Sequence, residues 1–348
     1  MIVRKILIGL LVSAICFGVG RAINSKMHQP IIDPAPVTST AGKIQVALLL
    51  DTSGSMSGLI EQAKSQLWNI LNELARTEKD NTETELEIAL YEYGNPAKAS
   101  TRIQINQLAP FTTDMDMISE KLFSLTTTGG DEYCGAVIKS SLDELDWSNG
   151  NGLKLIYIAG NESFTQGHVS YTRACGTAQN KGVIVNTIYC GDYKTGIDEY
   201  WQAGAVAGGG EYLHIDHNAE TAYIETPYDD QINELNRQLN DTYLPFGREG
   251  ESKKRNQIRQ DANAGKYSKA NSASRAIYKS SKKYKAEEWD LVDAYKKDKS
   301  VLKKKEQLPD DMQAMSVEEL EANIEQVVRD RENIQKQMRE LDKKRREY

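Results

Sequence analysis

Asp51, Ser53 and Ser55 occupy alternate positions of a polar run, Asp51-Thr52-Ser53-Gly54-Ser55, that follows directly on the apolar stretch 44–50. On a tight turn this spacing aims one carboxylate and two hydroxyls at a common point. All three are hard oxygen donors, a set that suits Mg²⁺, Mn²⁺ or Ca²⁺ and is poor for Zn²⁺. Gly54 permits the turn, and the N-terminus of the helix that follows adds backbone N–H groups. The same composition also caps helices, with Ser55 or Ser57 as N-cap, so the run acquires chemical meaning only from its surroundings. His214-Ile-Asp-His217 offers two imidazoles and a carboxylate. Alternation along a strand, however, points His214 and Asp216 one way and His217 the other, as ordinary surface residues do. There is no Gly-x-Ser-x-Gly, no phosphate-binding loop and no His-Glu-x-x-His, so hydrolase and nucleotide chemistry find no support.

The elements that must position the run alternate in type. The stretch 44–50 (IQVALLL) is too continuously apolar for a half-exposed strand and reads as a strand buried on both faces. An amphipathic helix is expected over 59–75, with Leu59, Ala63, Leu67, Ile70, Leu71 and Leu74 on one stripe. Strands follow at 86–93, 153–159, 183–189 and 212–215, with an edge strand or loop at 103–108. Helices are expected at 115–125, 135–145, 168–180 and 197–207. This alternation implies right-handed crossovers and a doubly wound, mostly parallel sheet with helices on both faces, whose ligand site lies beyond the carboxyl ends of the strands.

The order of hydrophobic strand, Asp-x-Ser-x-Ser and amphipathic helix, with a late Ala205-Val-Ala-Gly-Gly-Gly-Glu-Tyr-Leu run, resembles the von Willebrand factor A family, in an exported bacterial subgroup. The resemblance spans roughly 44–225. It implies a metal-ion-dependent adhesion site in which Asp51, Ser53 and Ser55 join residues of two further loops around one divalent ion, Mg²⁺ or else Mn²⁺ or Ca²⁺. A coordination position left open takes a carboxylate from a protein partner. In the second loop, Thr126-Thr-Thr-Gly-Gly-Asp-Glu-Tyr-Cys, the resemblance implies Asp131 as ligand, with Glu132 second and Thr128 a weaker alternative. In the third, Ala159-Gly160-Asn161-Glu162-Ser163, it implies Asn161 or Glu162. Cys134 and Cys175 then lie near the site and are the expected disulfide pair, with Cys190 the competing partner. The function implied is a non-enzymatic adhesion or scaffold module acting by metal-assisted protein binding. The alternatives are a structural module whose site holds no metal and an accessory subunit of an envelope enzyme complex.

Charge and length frame the remainder. The chain has 348 residues, more than one ordinary core needs. Residues 251–348 hold 25 basic and 19 acidic side chains, whereas residues 1–250 hold 18 and 31, a net of −13 that argues against nucleic-acid binding by the folded part. The tail's 25:19 ratio is itself too mixed for a phosphate-binding patch. A mean hydropathy of −0.56 excludes a multi-spanning membrane protein. Arg4 and Lys5 precede an apolar run at 6–19, so residues 1–22 read as a signal peptide or N-terminal membrane anchor and residues 23–43 as a Pro-containing linker. The protein is therefore expected to be exported, periplasmic or in the cell envelope, its N-terminal segment either cleaved as a signal or kept as a membrane tether. After the domain at 44–225, residues 226–348 read as a charged helical tail, partly helical or disordered over 250–300. Ser316-Val-Glu-Glu319 forms a capping box, and Val317, Leu320, Ile324, Val327, Ile334, Met338 and Leu341 keep alternating three and four spacing. A coiled coil over about 316–345 is expected, self-associating or packed on the chain's own helices.

Overall fold

Strand β1 (Lys43–Asp51) is buried from Ile44 to its end, as its unbroken apolar run requires. It lies at the centre of a sheet formed with β2 (Glu85–Tyr93), β3 (Ile105–Thr112), β4 (Leu153–Gly160), β5 (Ile184–Cys190) and β6 (Gly209–Ile215), in the order β3-β2-β1-β4-β5-β6. All neighbours are parallel except β2 and β3. The computed structural model describes residues 42–76, 85–96, 104–150, 152–215 and 225–348. The expected signal or anchor at 1–22, the linker except for its last two residues, Cys16, Asp216 and His217 lie outside the described residues. Among the described residues no helix is long and apolar enough to cross a membrane.

From β1 the chain crosses to β2 on one side, and only later returns to β4 on the other. The point where the winding direction reverses is therefore between the carboxyl ends of β1 and β4, the place where such sheets hold ligands. Right-handed crossovers in opposite directions also put helices on opposite faces. The β1–β2 crossover carries α1 (Ile60–Arg76), and α2 (Met115–Phe123) packs on it, with Trp68 edge-on to Phe123 at 6.0 Å. On the other face α3 (Cys134–Glu144), α4 (Tyr171–Asn180) and α6 (Trp201–Ala207) share one cluster with Ala47, Leu49, Tyr91, Ile156 and Ile158. The helix expected over 197–207 is instead two, α5 (Tyr193–Asp198) and α6, broken at Tyr200, which adopts φ +67°. The break lets the Trp201 ring enter the core against Phe164 and Tyr189.

The region after residue 225 is folded, and over 250–300, where the sequence left partial helix or disorder open, it is mostly helical. Helices α7 (Asp229–Asp241), α8 (Gly250–Tyr267), α9 (Lys269–Lys279), α10 (Leu291–Lys297) and α11 (Val317–Glu347) belong with the sheet to one compact unit, 42–348. α8 packs on α2 and α9 on α1. A criterion built on large aliphatics misses this region because its core is made of small and aromatic side chains, among them Ala264, Ala273, Ala276, Tyr278, Tyr284 and Trp289. The capping box at Ser316 is formed. Of the heptad positions, Leu320, Ile324, Ile334 and Met338 are buried, and α11 packs on α7 and α10 of its own chain. Arg331, which interrupts the apolar pattern, is buried too, bonded to Thr242, Asp290 and Asp293 and stacked 4.2 Å above the Tyr243 ring.

Charged groups fasten these helices to the sheet. Arg275 on α9 pairs with Asp116 on α2 at 2.6 Å and with Asp261 on α8 at 2.7 Å, while Lys279 pairs with Asp261 at 2.6 Å. Burial alone would raise the Asp261 pKa, but Lys279 and Arg275 outweigh it and hold the carboxyl well below its ordinary value. A depressed carboxylate contributes stability that is full above the unfolded-state pKa and lost only as pH falls through the lower folded value, so this junction persists into mild acid. Asp261→Ala leaves Lys279 buried without its counter-charge and Arg275 with Asp116 alone, and is expected to lower unfolding free energy by about 3–5 kcal/mol in urea denaturation at neutral pH.

Candidate functional site

Three chain segments meet at the carboxyl edge of the sheet. β1 ends on Asp51, and the run turns at once into a short 3-10 turn at Gly54–Met56. The turn is braced by backbone bonds: Thr52 N–H donates to Tyr93 O at 2.9 Å, and Thr128 N–H donates to Thr52 O at 2.9 Å. The first loop is thereby tied to the end of β2 and to the second loop. The Tyr93 hydroxyl donates to Ala159 O at 3.0 Å, tying β2 to the third loop's strand. Gly94 sits at φ +76°, where a Cβ would also lie 2.8 Å from Asp51 Oδ1. At Gly130 an added Cβ would collide with the Gly94 carbonyl and the Gln104 side chain. Both positions require glycine for the loops to close this tightly. The third loop is pinned from behind by Trp201, whose Nε1–H donates to Glu162 O at 2.7 Å.

The side chains converge on oxygen. Asp51 Oδ1 accepts from Ser53 N–H at 2.7 Å, and the Ser53 and Ser55 hydroxyls are 2.9 Å apart. Ser55 Oγ–H donates to Asn161 Oδ1 at 2.8 Å, and Asn161 Nδ2–H returns a bond to Ser55 O at 3.1 Å. Asp51 Oδ2 is buried with no hydrogen-bond partner. Burial pushes the Asp51 pKa up to about 7, with the Glu132 charge adding to it and the Ser53 and Asn161 bonds opposing it. Glu132 is raised as well, first by burial and then by the charges of Glu162 and Asp131, against a hydrogen bond from Ser53. Two carboxylates, Asp51 and Glu132, thus share a buried pocket. Among the described residues no three His, Cys, Asp or Glu side chains are grouped to hold a metal, so a cation here would draw on hydroxyl oxygens as well. An orphaned carboxylate oxygen beside two hydroxyls and a second carboxylate fits a hard divalent cation.

Not every residue singled out from sequence is in this cluster. Asp51, Ser53, Ser55 and Asn161 are brought together. Of the second loop, it is the buried Glu132 that lies with Asp51 and Ser53 around Gly94, while Asp131 is exposed and accepts from the Tyr133 hydroxyl at 3.1 Å. One residue decides this: α3 begins just beyond, and the turn into it directs position 132 inward. Thr128 is engaged by Asn95 at 2.5 Å. Glu162 contributes its charge to the pocket and its carbonyl to Trp201. Sequence reasoning passed over Tyr93, Gly94 and Asn95, whose signal was a Tyr-Gly-Asn turn directly after an apolar strand. The expected Cys134–Cys175 bridge is absent. Cys134, Cys175 and Cys190 are each buried free thiols, and Cys134 Sγ faces the Tyr93 hydroxyl at 3.7 Å. His214 stacks edge-on to Tyr193 at 5.1 Å on the exposed side of β6, away from any ligand set.

No family model matches the sequence, and no curated protein matches it. Solved structures do. BatB from Bacteroides thetaiotaomicron is similar at 16% identity over 50% of this chain and 90% of that one, with a TM-score of 0.39. The SpRpn10 VWA domain is similar at 14% identity, over 55% and 94% of the two chains, with a TM-score of 0.37. Proximal thread matrix protein 1 of the mussel byssus, solved with a zinc-occupied MIDAS motif, is similar at 12% identity over 51% of this chain and 43% of that one, with a TM-score of 0.37. On its strand order, its covered sheet faces and the Asp-x-Ser-x-Ser turn at the carboxyl end of β1, the sheet half of this chain has the fold of a von Willebrand factor A domain.

Proposed function

We propose that the carboxyl edge of the sheet binds a divalent cation, Mg²⁺ or else Mn²⁺ or Ca²⁺, and uses it to hold an acidic residue of a protein partner. The observation that carries this is the buried, unbonded Asp51 Oδ2 beside the Ser53 and Ser55 hydroxyls. Asp51, Ser53, Ser55 and Glu132 are the candidate holders, directly or through water, with Asp131, Asn161 and Glu162 at the rim. When bound, the ion supplies positive charge and an open coordination position at an otherwise anionic surface. Asn161 keeps Ser55 in place, and Trp201 keeps the third loop closed behind it. No nucleophile and base are paired here, so the proposed role is adhesion or scaffolding without catalysis. Residues 1–22 and 23–43 carry the export and tethering part of the proposal, to the periplasm or cell envelope.

Calorimetric titration with Mg²⁺ and Mn²⁺ is expected to show saturable heats in wild type and none in Asp51→Ala. Equal heats would leave a structural module without a metal. Glu132→Ala is expected to weaken binding by about tenfold or more, and Asp131→Ala by less; the opposite order would move the ligand to Asp131. Partner capture is expected to be lost in EDTA.

The raised Asp51 pKa sets a pH dependence with a defined sign. Without metal, the folded protein holds a proton on Asp51 that the unfolded chain releases near the ordinary 3.8. Stability is therefore full below that value and falls as pH rises toward about 7. Melting temperature in EDTA is expected to be lower at pH 8 than at pH 5 for wild type, with that part of the difference removed in Asp51→Asn. Metal affinity runs the other way, because the ion requires the deprotonated carboxylate. It is expected to rise about tenfold per pH unit below about pH 7 and then level off.

A further inference from the structure

The helices after residue 225 enclose an open cleft of about 730 Å³, bounded by the end of α9, the segment 280–287, the end of α10 and the middle of α11. Its rim carries Lys282, Lys285, Lys296, Lys297 and Arg339 against Glu287 and Glu332. Lys296 is paired with Glu332 at 3.0 Å and Lys297 with Glu287 at 2.7 Å. Lys282, Lys285 and Arg339 are exposed and have no ion pair or hydrogen bond among the described residues. Three uncompensated cations from segments far apart in sequence therefore share one concavity, and a concave wall concentrates their field.

The buried cations of the wall behind them are already paired. Lys279 donates to Asn236, Asn240 and Asp261, and Arg331 to Thr242, Asp290 and Asp293. These buried groups have no donors to spare and serve to fix the helices that carry the rim. Nor does the cleft expose an aromatic ring for stacking. Tyr243 and Tyr284 line it but are buried, and the Tyr284 hydroxyl is committed to Asp116 at 2.5 Å. Space and charge are open, with no exposed ring for a base to stack on. Lysine ammoniums and a guanidinium so placed suit clustered oxyanions.

We propose that this cleft is an anion site for a ligand carrying two or more phosphate-type charges, held by Lys282, Lys285 and Arg339. A soluble diphosphate and two adjacent headgroups of an anionic phospholipid surface share this chemistry. The test uses the full chain in EDTA, which removes any contribution from the sheet edge, with inorganic pyrophosphate in calorimetry and with phosphatidylcholine vesicles made with and without phosphatidylglycerol. Saturable pyrophosphate binding, or a preference for the phosphatidylglycerol vesicles, is expected in wild type. Either signal is expected to weaken by at least about tenfold, the loss of one charge-assisted contact or more, in a Lys282→Glu, Lys285→Glu, Arg339→Glu variant. The corresponding Gln variant, which keeps the surface polar, is expected to follow it. Reversing Lys121, Lys139 and Lys266, which do not line the cleft, is expected to leave both signals intact. Pyrophosphate binding without vesicle preference identifies a soluble ligand, and vesicle preference alone identifies a headgroup. Absence of both in wild type, or their survival in both rim variants, overturns the proposal.

Discussion

Strand β1 carries its apolar run to the carboxyl edge of the sheet and ends on a carboxylate, so Asp51 is held out of water with one oxygen bonded to Ser53 and the other unbonded. A buried carboxylate without a counter-charge is unfavourable, and proteins answer it by protonation or by a cation. Much of the local architecture follows from that constraint. Gly94 is the residue that lets a second strand end approach Asp51 so closely, and the backbone bonds among Thr52, Tyr93 and Thr128 keep the loops in register. Trp201, wedged between Phe164 and Tyr189, closes the third loop behind the pocket. The strain at Tyr200 accompanies the seating of that indole.

The sheet half was legible because its signals are local and periodic. An unbroken apolar run, a polar turn and a helical stripe determine β1, the first loop and α1 with boundaries correct to about a residue. The antiparallel β3 was readable only as an edge, since its sequence INQLAPFT alternates weakly and carries a proline. The identity of the second-loop carboxylate was not legible. Asp131 and Glu132 are adjacent, and which one turns inward is a tertiary outcome set at the start of α3, where Cys134 meets Tyr93. The Tyr93-Gly94-Asn95 turn was missed because its role is steric and does not show in donor chemistry.

The helical half was underestimated for a different reason. Its order comes from alanines, tyrosines and buried ion pairs, which composition scores as polar and disordered. Asp261 cannot be recognised as the partner of both Arg275 and Lys279 without the fold, because the three lie on different turns of two helices. Charge was similarly blurred. A near-balanced ratio over the tail hides the fact that most acidic side chains in contact with its cleft are already paired, whereas three basic ones are not. Summed charge describes a segment, but recognition depends on which charges remain unmatched at one place.

The three thiols have a consequence for how the folded molecule meets oxidants. Cys134, Cys175 and Cys190 are all buried, and burial pushes each of them up from the ordinary thiol range, so none is poised as a thiolate. Cys134 begins a helix, a position that elsewhere makes cysteine reactive, yet here the low-polarity surroundings and nearby Asp51 prevail. In the folded protein, burial shelters these three sulfur atoms from peroxide and from disulfide exchange with neighbours.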